Sequence, residues 1–179
     1  MPALHPADTC GGPREDLGAT VAEYVLPGRQ VILSDTIHEF TGCGEISRWS
    51  MIFSCSGSSG GVGYALELQV FSQNSRIFSL LRTAQVTLTD EQCGWQLVSF
   101  NISLPFCQRD HVGMYVPDSP GITGLGYRFT GSFLDTFVYK ELPAPPSVGD
   151  SISFGLPDTE FRDLPLVSIE GVFVASNKL

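Results

Sequence analysis

Residues 57–61, Gly57-Ser58-Ser59-Gly60-Gly61, fit G-x-S-x-G, the spacing of a hydrolase nucleophile elbow with Ser59 as the nucleophile. Such an elbow needs a strand before the serine and a helix after it, so that a strained turn lifts the hydroxyl toward its base. A strand-like stretch does precede Ser59. The residues that follow, "GVGYALELQVF", alternate with period two and read as a second strand. Five small residues between two alternating runs predict a hairpin loop. A phosphate cradle is excluded too, because neither Gly-Lys-Ser/Thr nor a helix follows. Ser59 is expected to be a loop residue, and no catalytic residue is assigned.

Two stretches set histidine near carboxylates: "SDTIHE", with Asp35, His38 and Glu39, and "RDH", with Asp110 and His111. Neither has recognised ligand or catalytic-pair spacing, and surface or loop histidines are the expectation. The acidic loops hold oxygen donors of the kind that bind Ca²⁺, with Asp118 in one and Asp158, Glu160 and Asp163 in the other. They match no calcium-loop spacing, so Asp118, Asp158 and Asp163 stand as weak Ca²⁺ candidates beside an expectation of solvated turn carboxylates. No other cofactor is expected.

The elements that would position these groups are strands. "GEISRWSMIFSC" places Trp49, Met51, Phe53 and Cys55 on one face. "GYALELQVF" sends Tyr64, Leu66, Leu68 and Val70 one way, and Glu67 and Gln69 the other. "WQLVSFNISLPF" sets Val98, Phe100, Ile102, Leu104 and Phe106 against Leu97, Ser99, Asn101 and Ser103. Further alternating runs, separated by Gly/Pro/Asp turns, bring the total to about ten strands with no helical period. The predicted fold is an all-β sandwich of two antiparallel sheets in jelly-roll or Greek-key order. Residues 1–19 read as a flexible leader and 20–179 as one sandwich domain, with "LPAPPSVGD" (142–150) a stiff connection inside it.

The cysteines specify a register. Cys43 and Cys55 end one predicted strand, about 40 Å apart at ~3.3 Å per residue, so they cannot bond to each other. Cys93 and Cys107 flank another strand in the same way. Paired positions in an antiparallel ladder sum to a near-constant value. Cys43 with Cys107 gives 150 and Cys55 with Cys93 gives 148, so both disulfides fit one register with a bulge. Cys10 is left over in the leader, free or open to another chain.

Charge narrows the function classes. The net charge of −9 and the scattered ten Lys and Arg exclude a basic nucleic-acid face. No apolar run is long enough to span a membrane. Charged residues number 29 of 179, against about 45 at the usual fraction of about 25%. A surface so poor in charge favours self-association or burial against partners. The opening "MPALHPADTCGGPRED" lacks the apolar core of a signal peptide. Either a signal has been removed and Met1 is not native, or the chain is made in the cytosol. Five cysteines and the sequon Asn101-Ile102-Ser103 favour removal and an extracellular location, with Asn101 on the outward face where a glycan fits.

"FTGCGEISRW", "LELQVF", "LPFCQRDHVGMYV" and "RDLPLVSIE" together resemble an uncharacterised β-sandwich module of cell-surface and matrix proteins in sponge-like marine invertebrates. The shared positions include Phe40, Cys43, Gly44, Ile46, Trp49, Leu68, Val112-Gly113, Tyr115 and Leu164-Pro165-Leu166. Asp110-His111 stands where that pattern carries Gly-Asp. The resemblance implies an extracellular, non-enzymatic module with no defined ligand.

The leading expectation is a structural or adhesive extracellular protein that self-associates or co-assembles with a matrix partner. One version packs in an ordered or siliceous mineralised matrix, with hydroxyls and acidic loops facing mineral. The alternative is a lectin-like sandwich that stacks sugars on Tyr115, Tyr127 or Phe129. A hydrolase ranks last.

Overall fold

β-branched and aromatic residues alternate with Ser, Thr and Gln through most of the chain, and in the computed structural model the described residues form fourteen strands. It describes residues 9–10, 23–33, 40, 42–56, 61–92, 97–129, 137–154, 159–161, 163–165 and 167–173. The longer strands are β3 (Arg29–Leu33), β4 (Gly44–Cys55), β5 (Tyr64–Asn74), β6 (Ile77–Leu88), β7 (Leu97–Phe106), β8 (His111–Val116), β9 (Ile122–Phe129), β10 (Phe137–Glu141) and β14 (Val167–Phe173). The runs expected as strands correspond to most of these, with "GYRFTGSFLDTFVYK" split between β9 and β10. Five short ones accompany them: β1 (Thr9–Cys10), β2 (Glu23–Val25), β11 (Ser151–Ser153), β12 (Thr159–Phe161) and β13 (Asp163–Pro165). β1 lies inside the segment read as a leader and pairs with β14.

All described pairings are antiparallel, and they build two sheets. The first runs β1-β14-β4-β9-β13, with β7 also on β4 and β2 also on β9. The second runs β11-β6-β5-β8-β3-β10-β12. Between them lies one core, with Trp49, Met51 and Phe53 from β4 facing Leu66, Leu68 and Val70 of β5 and Val112 and Met114 of β8. The faces expected for β4, β5 and β7 are the faces observed.

Ile46 and Trp49 are three residues apart, which strict alternation would send to opposite faces, yet both are buried. A bulge at Ser47 reconciles them. The register of β4 shifts between Ile46 and Arg48 against β7, and β14 shifts at the same place. The extra residue leaves Ser47 and Arg48 both exposed and returns Trp49 to the core.

Two expectations need correction. β4 belongs to the first sheet and β5 to the second, so the connection carrying Ser59 crosses between sheets and does not close a hairpin. Both strands bury an apolar row in the same core, and that places them in facing layers. Gln69, expected on an outward face, is on that face but completely buried. The segment from Leu142 to Phe154 folds back over the outer side of the second sheet. Leu80 N–H donates to Asp150 O (2.9 Å), and Phe154 N–H to Arg76 O (2.9 Å). A second small core forms beneath it from Ile32, Phe71, Phe78, Leu80, Ile152 and Phe154.

Candidate functional site

Among the described residues the chemistry-bearing side chains do not converge on one site. Ser59 lies outside the described residues, as do Asp35, His38, Glu39, Cys93 and Asp158. Asp163 and Glu160 sit in β13 and β12, and Asp118 is exposed in the loop between β8 and β9. Among the described residues no three His, Cys, Asp or Glu side chains gather as a metal site. Nor is any helix long and apolar enough to cross a membrane.

The turn from β7 to β8 is the most constrained polar feature. Cys43 and Cys107 form a disulfide there, and the Phe106 ring stacks on Phe40 with centroids 4.0 Å apart. Asp110 closes the turn twice: its Oδ2 accepts from Cys107 N–H (2.7 Å), and its own N–H donates to Cys107 O (3.0 Å). Arg109 holds a left-handed φ of 68° while its N–H donates to Phe40 O. Burial pushes the Asp110 carboxyl above its ordinary value; the Cys107 hydrogen bond, Arg82 at 4.0 Å and His111 pull the other way. Beside it, His111 packs edge-on against Phe78, and its Nδ1 lies 3.3 Å from Leu33 O. Asp110 and His111 thus brace the turn and the start of β8.

A shallow groove of about 350 Å³ opens on the outer face of the second sheet, between strands and the proline segment. Glu67, Gln85, Tyr115, Asp118, Pro143 and Pro145 contribute to its walls. Tyr115 is 5% exposed, and its hydroxyl donates to Leu142 O (2.9 Å). Burial and then the Asp118 charge raise its pKa. Deeper on this face, Gln30 Nε2 donates to Gln69 Oε1 (2.7 Å) and to the carbonyls of Val31 and Met114. Of the aromatics proposed for sugar stacking, Tyr115 and Tyr127 are buried. The Phe129 side chain lies outside the description.

The flank formed by β6 and β7 is different in kind. β7 pairs only with β4 among the described residues, and it has no charged side chain over its ten residues. β6 pairs with β11 only over Ile77–Ser79; the rest of that side carries one charge, Arg82. Pro105 fits near the end of β7 because an edge strand tolerates a missing ladder donor. On the outer face of the first sheet, Ser50 and Ser99 share a hydrogen bond (2.7 Å) and Ser103 donates to Glu45 (2.7 Å). Asn101 is exposed on this face, opposite Arg48 in register. Composition pointed to the charge deficit, but only the pairing locates it on an open edge.

No protein-family model, no curated protein and no solved structure matches this chain.

Proposed function

We propose that this chain is a non-enzymatic extracellular module that works by protein–protein assembly, as a structural or adhesive component of an ordered matrix. The observation that carries the reading is the open β7 edge without a charged residue. Edge strands present unpaired N–H and C=O groups, and lysines or other charges normally keep neighbouring chains away from them. The disulfide, the charge deficit and the serine-rich outer face support an extracellular contact role. A siliceous or otherwise mineralised setting is the specific version, in which the Ser and Thr hydroxyls and acidic loops face mineral.

Light scattering from about pH 4 to about pH 8 at rising concentration tests it. Association is expected to strengthen toward the pI of about 4.6, where net repulsion vanishes. A strict monomer throughout, with no partner captured from native extract, would overturn the assembly reading.

A lectin-like role is the second reading, favoured by the groove with its carboxylates and prolines. The burial of Tyr115 and Tyr127 weighs against stacking on those rings. A glycan array separates the two readings.

A further inference from the structure

The sequon at Asn101 falls at a revealing place. Asn101 lies near the middle of β7, exposed, on the outer face of the first sheet. Its nearest neighbours along that face of the strand are Ser99 and Ser103, which are too small to roof over the amide. Arg48 stands across from it on β4 and is itself exposed. The Asn101 carboxamide makes no hydrogen bond to another described residue, whereas Ser50 and Ser99 are joined to each other and Ser103 to Glu45. The amide nitrogen is therefore presented to solvent on a long strand that pairs only with β4 among the described residues.

We infer that Asn101 is an N-glycosylation site and that its oligosaccharide gates the β7 edge. In the attachment step, Asn101 Nδ2 displaces the lipid pyrophosphate from the anomeric carbon of a lipid-linked oligosaccharide. A proton leaves the nitrogen as the N–C bond forms. The hydrated sugar then covers the flat serine face and overhangs β7, so a second chain can reach the edge only where Asn101 is bare. An edge with no charged residue of its own is protected in this way during secretion. This gating role rests on the assembly reading, whereas the modification itself does not.

The test is secretion of the full chain from eukaryotic cells behind a heterologous leader, read by intact mass and glycopeptide mapping. The expected result is a hexose and N-acetylhexosamine increment on Asn101. Peptide-N-glycosidase should remove it and convert Asn101 to Asp, and both Asn101→Gln and Ser103→Ala should lack it. Asn101→Gln chains, which lack the sugar without the charge of the Asp product, should associate about tenfold or more tightly than glycosylated parent, a shift of about 1.4 kcal/mol. Secreted chain with unmodified Asn101 overturns the inference and leaves the assembly reading standing. Glycosylated parent that associates as tightly as Asn101→Gln overturns the gating. Modified chain that stays monomeric in both forms overturns gating and assembly together.

Discussion

Cys43 and Cys107 are bonded one residue beyond the Gly44–Phe106 pair that ends the β4–β7 ladder. The bond clamps the end of the ladder beside the turn into β8 and closes a loop of 64 residues. By the chain-entropy model such a crosslink stabilises by about 4 kcal/mol. Replacing both cysteines by serine should lower the urea midpoint accordingly, with little change in slope. An unchanged midpoint would show that the clamp contributes nothing.

Cys55, at the other end of β4, is also disulfide-bonded. Ladder positions sum to 150 from Gly44–Phe106 to Ile46–Leu104, and to 149 from Arg48–Asn101 to Ile52–Leu97, after the Ser47 bulge. Continued past Ile52, a sum of 149 would set position 94 opposite Cys55, one residue from Cys93 in the sequence. Non-reducing peptide mapping should recover a Cys55–Cys93 link. Recovery of Cys55 joined to Cys10 would contradict the register.

Gly113 in β8 has no room for a side chain. A Cβ there would lie 2.5 Å from Val31 O and 2.9 Å from the Phe71 ring. Gly113→Ala should destabilise by about 1–3 kcal/mol through overpacking, measured by thermal or denaturant unfolding. A neutral result would mean that β3 and β8 separate easily.

The raised Asp110 pKa sets a pH dependence. Its folded value lies above the ordinary 3.8, so the folded state holds this proton more tightly than the unfolded chain. The resulting stability is fully present below 3.8 and is lost as pH rises through the folded value. Asp110→Asn retains an acceptor for Cys107 N–H and removes the titration. The variant should therefore have a flatter stability profile across that acid window. A profile identical to the parent's would show that Asp110 titrates alike in both states.

Ser59→Ala should leave any hydrolytic activity of a preparation unchanged, because period-two strands lie on both sides of its connection and no helix follows. Ester hydrolysis abolished by this change alone would reinstate the nucleophile.

Much of the fold was legible in the sequence because strand alternation is a local signal. The bounds of β4 and β8 could be read from period two and turn residues, as could the inward rows of β4, β5 and β7. The Cys43–Cys107 pairing was legible as well, since an antiparallel ladder makes paired positions a simple sum. The candidate surface was half legible. Alternation turned Asn101 outward, and the scarcity of charge was plain in the composition.

Partners across space were not legible. A one-residue bulge at Ser47 put Ile46 and Trp49 in the same core, a shift that both neighbouring strands enforce together. Gln30 and Gln69 sit where an outward, solvated face would be expected. Both are fully buried and bonded to each other, Gln30 Nε2 donating to Gln69 Oε1 across β3, β8 and β5. Asp110 is buried as well, in the turn it closes on Cys107 and 4.0 Å from Arg82 of β6. Alternation states which way a side chain points, whereas the packing of distant segments decides what covers it. The sequence alone determined the strands, their inward rows and one crosslink. Only the tertiary structure decided that β4 and β5 lie in facing sheets and that β7 pairs only with β4 among the described residues, because sheet order follows from burying every apolar row at once.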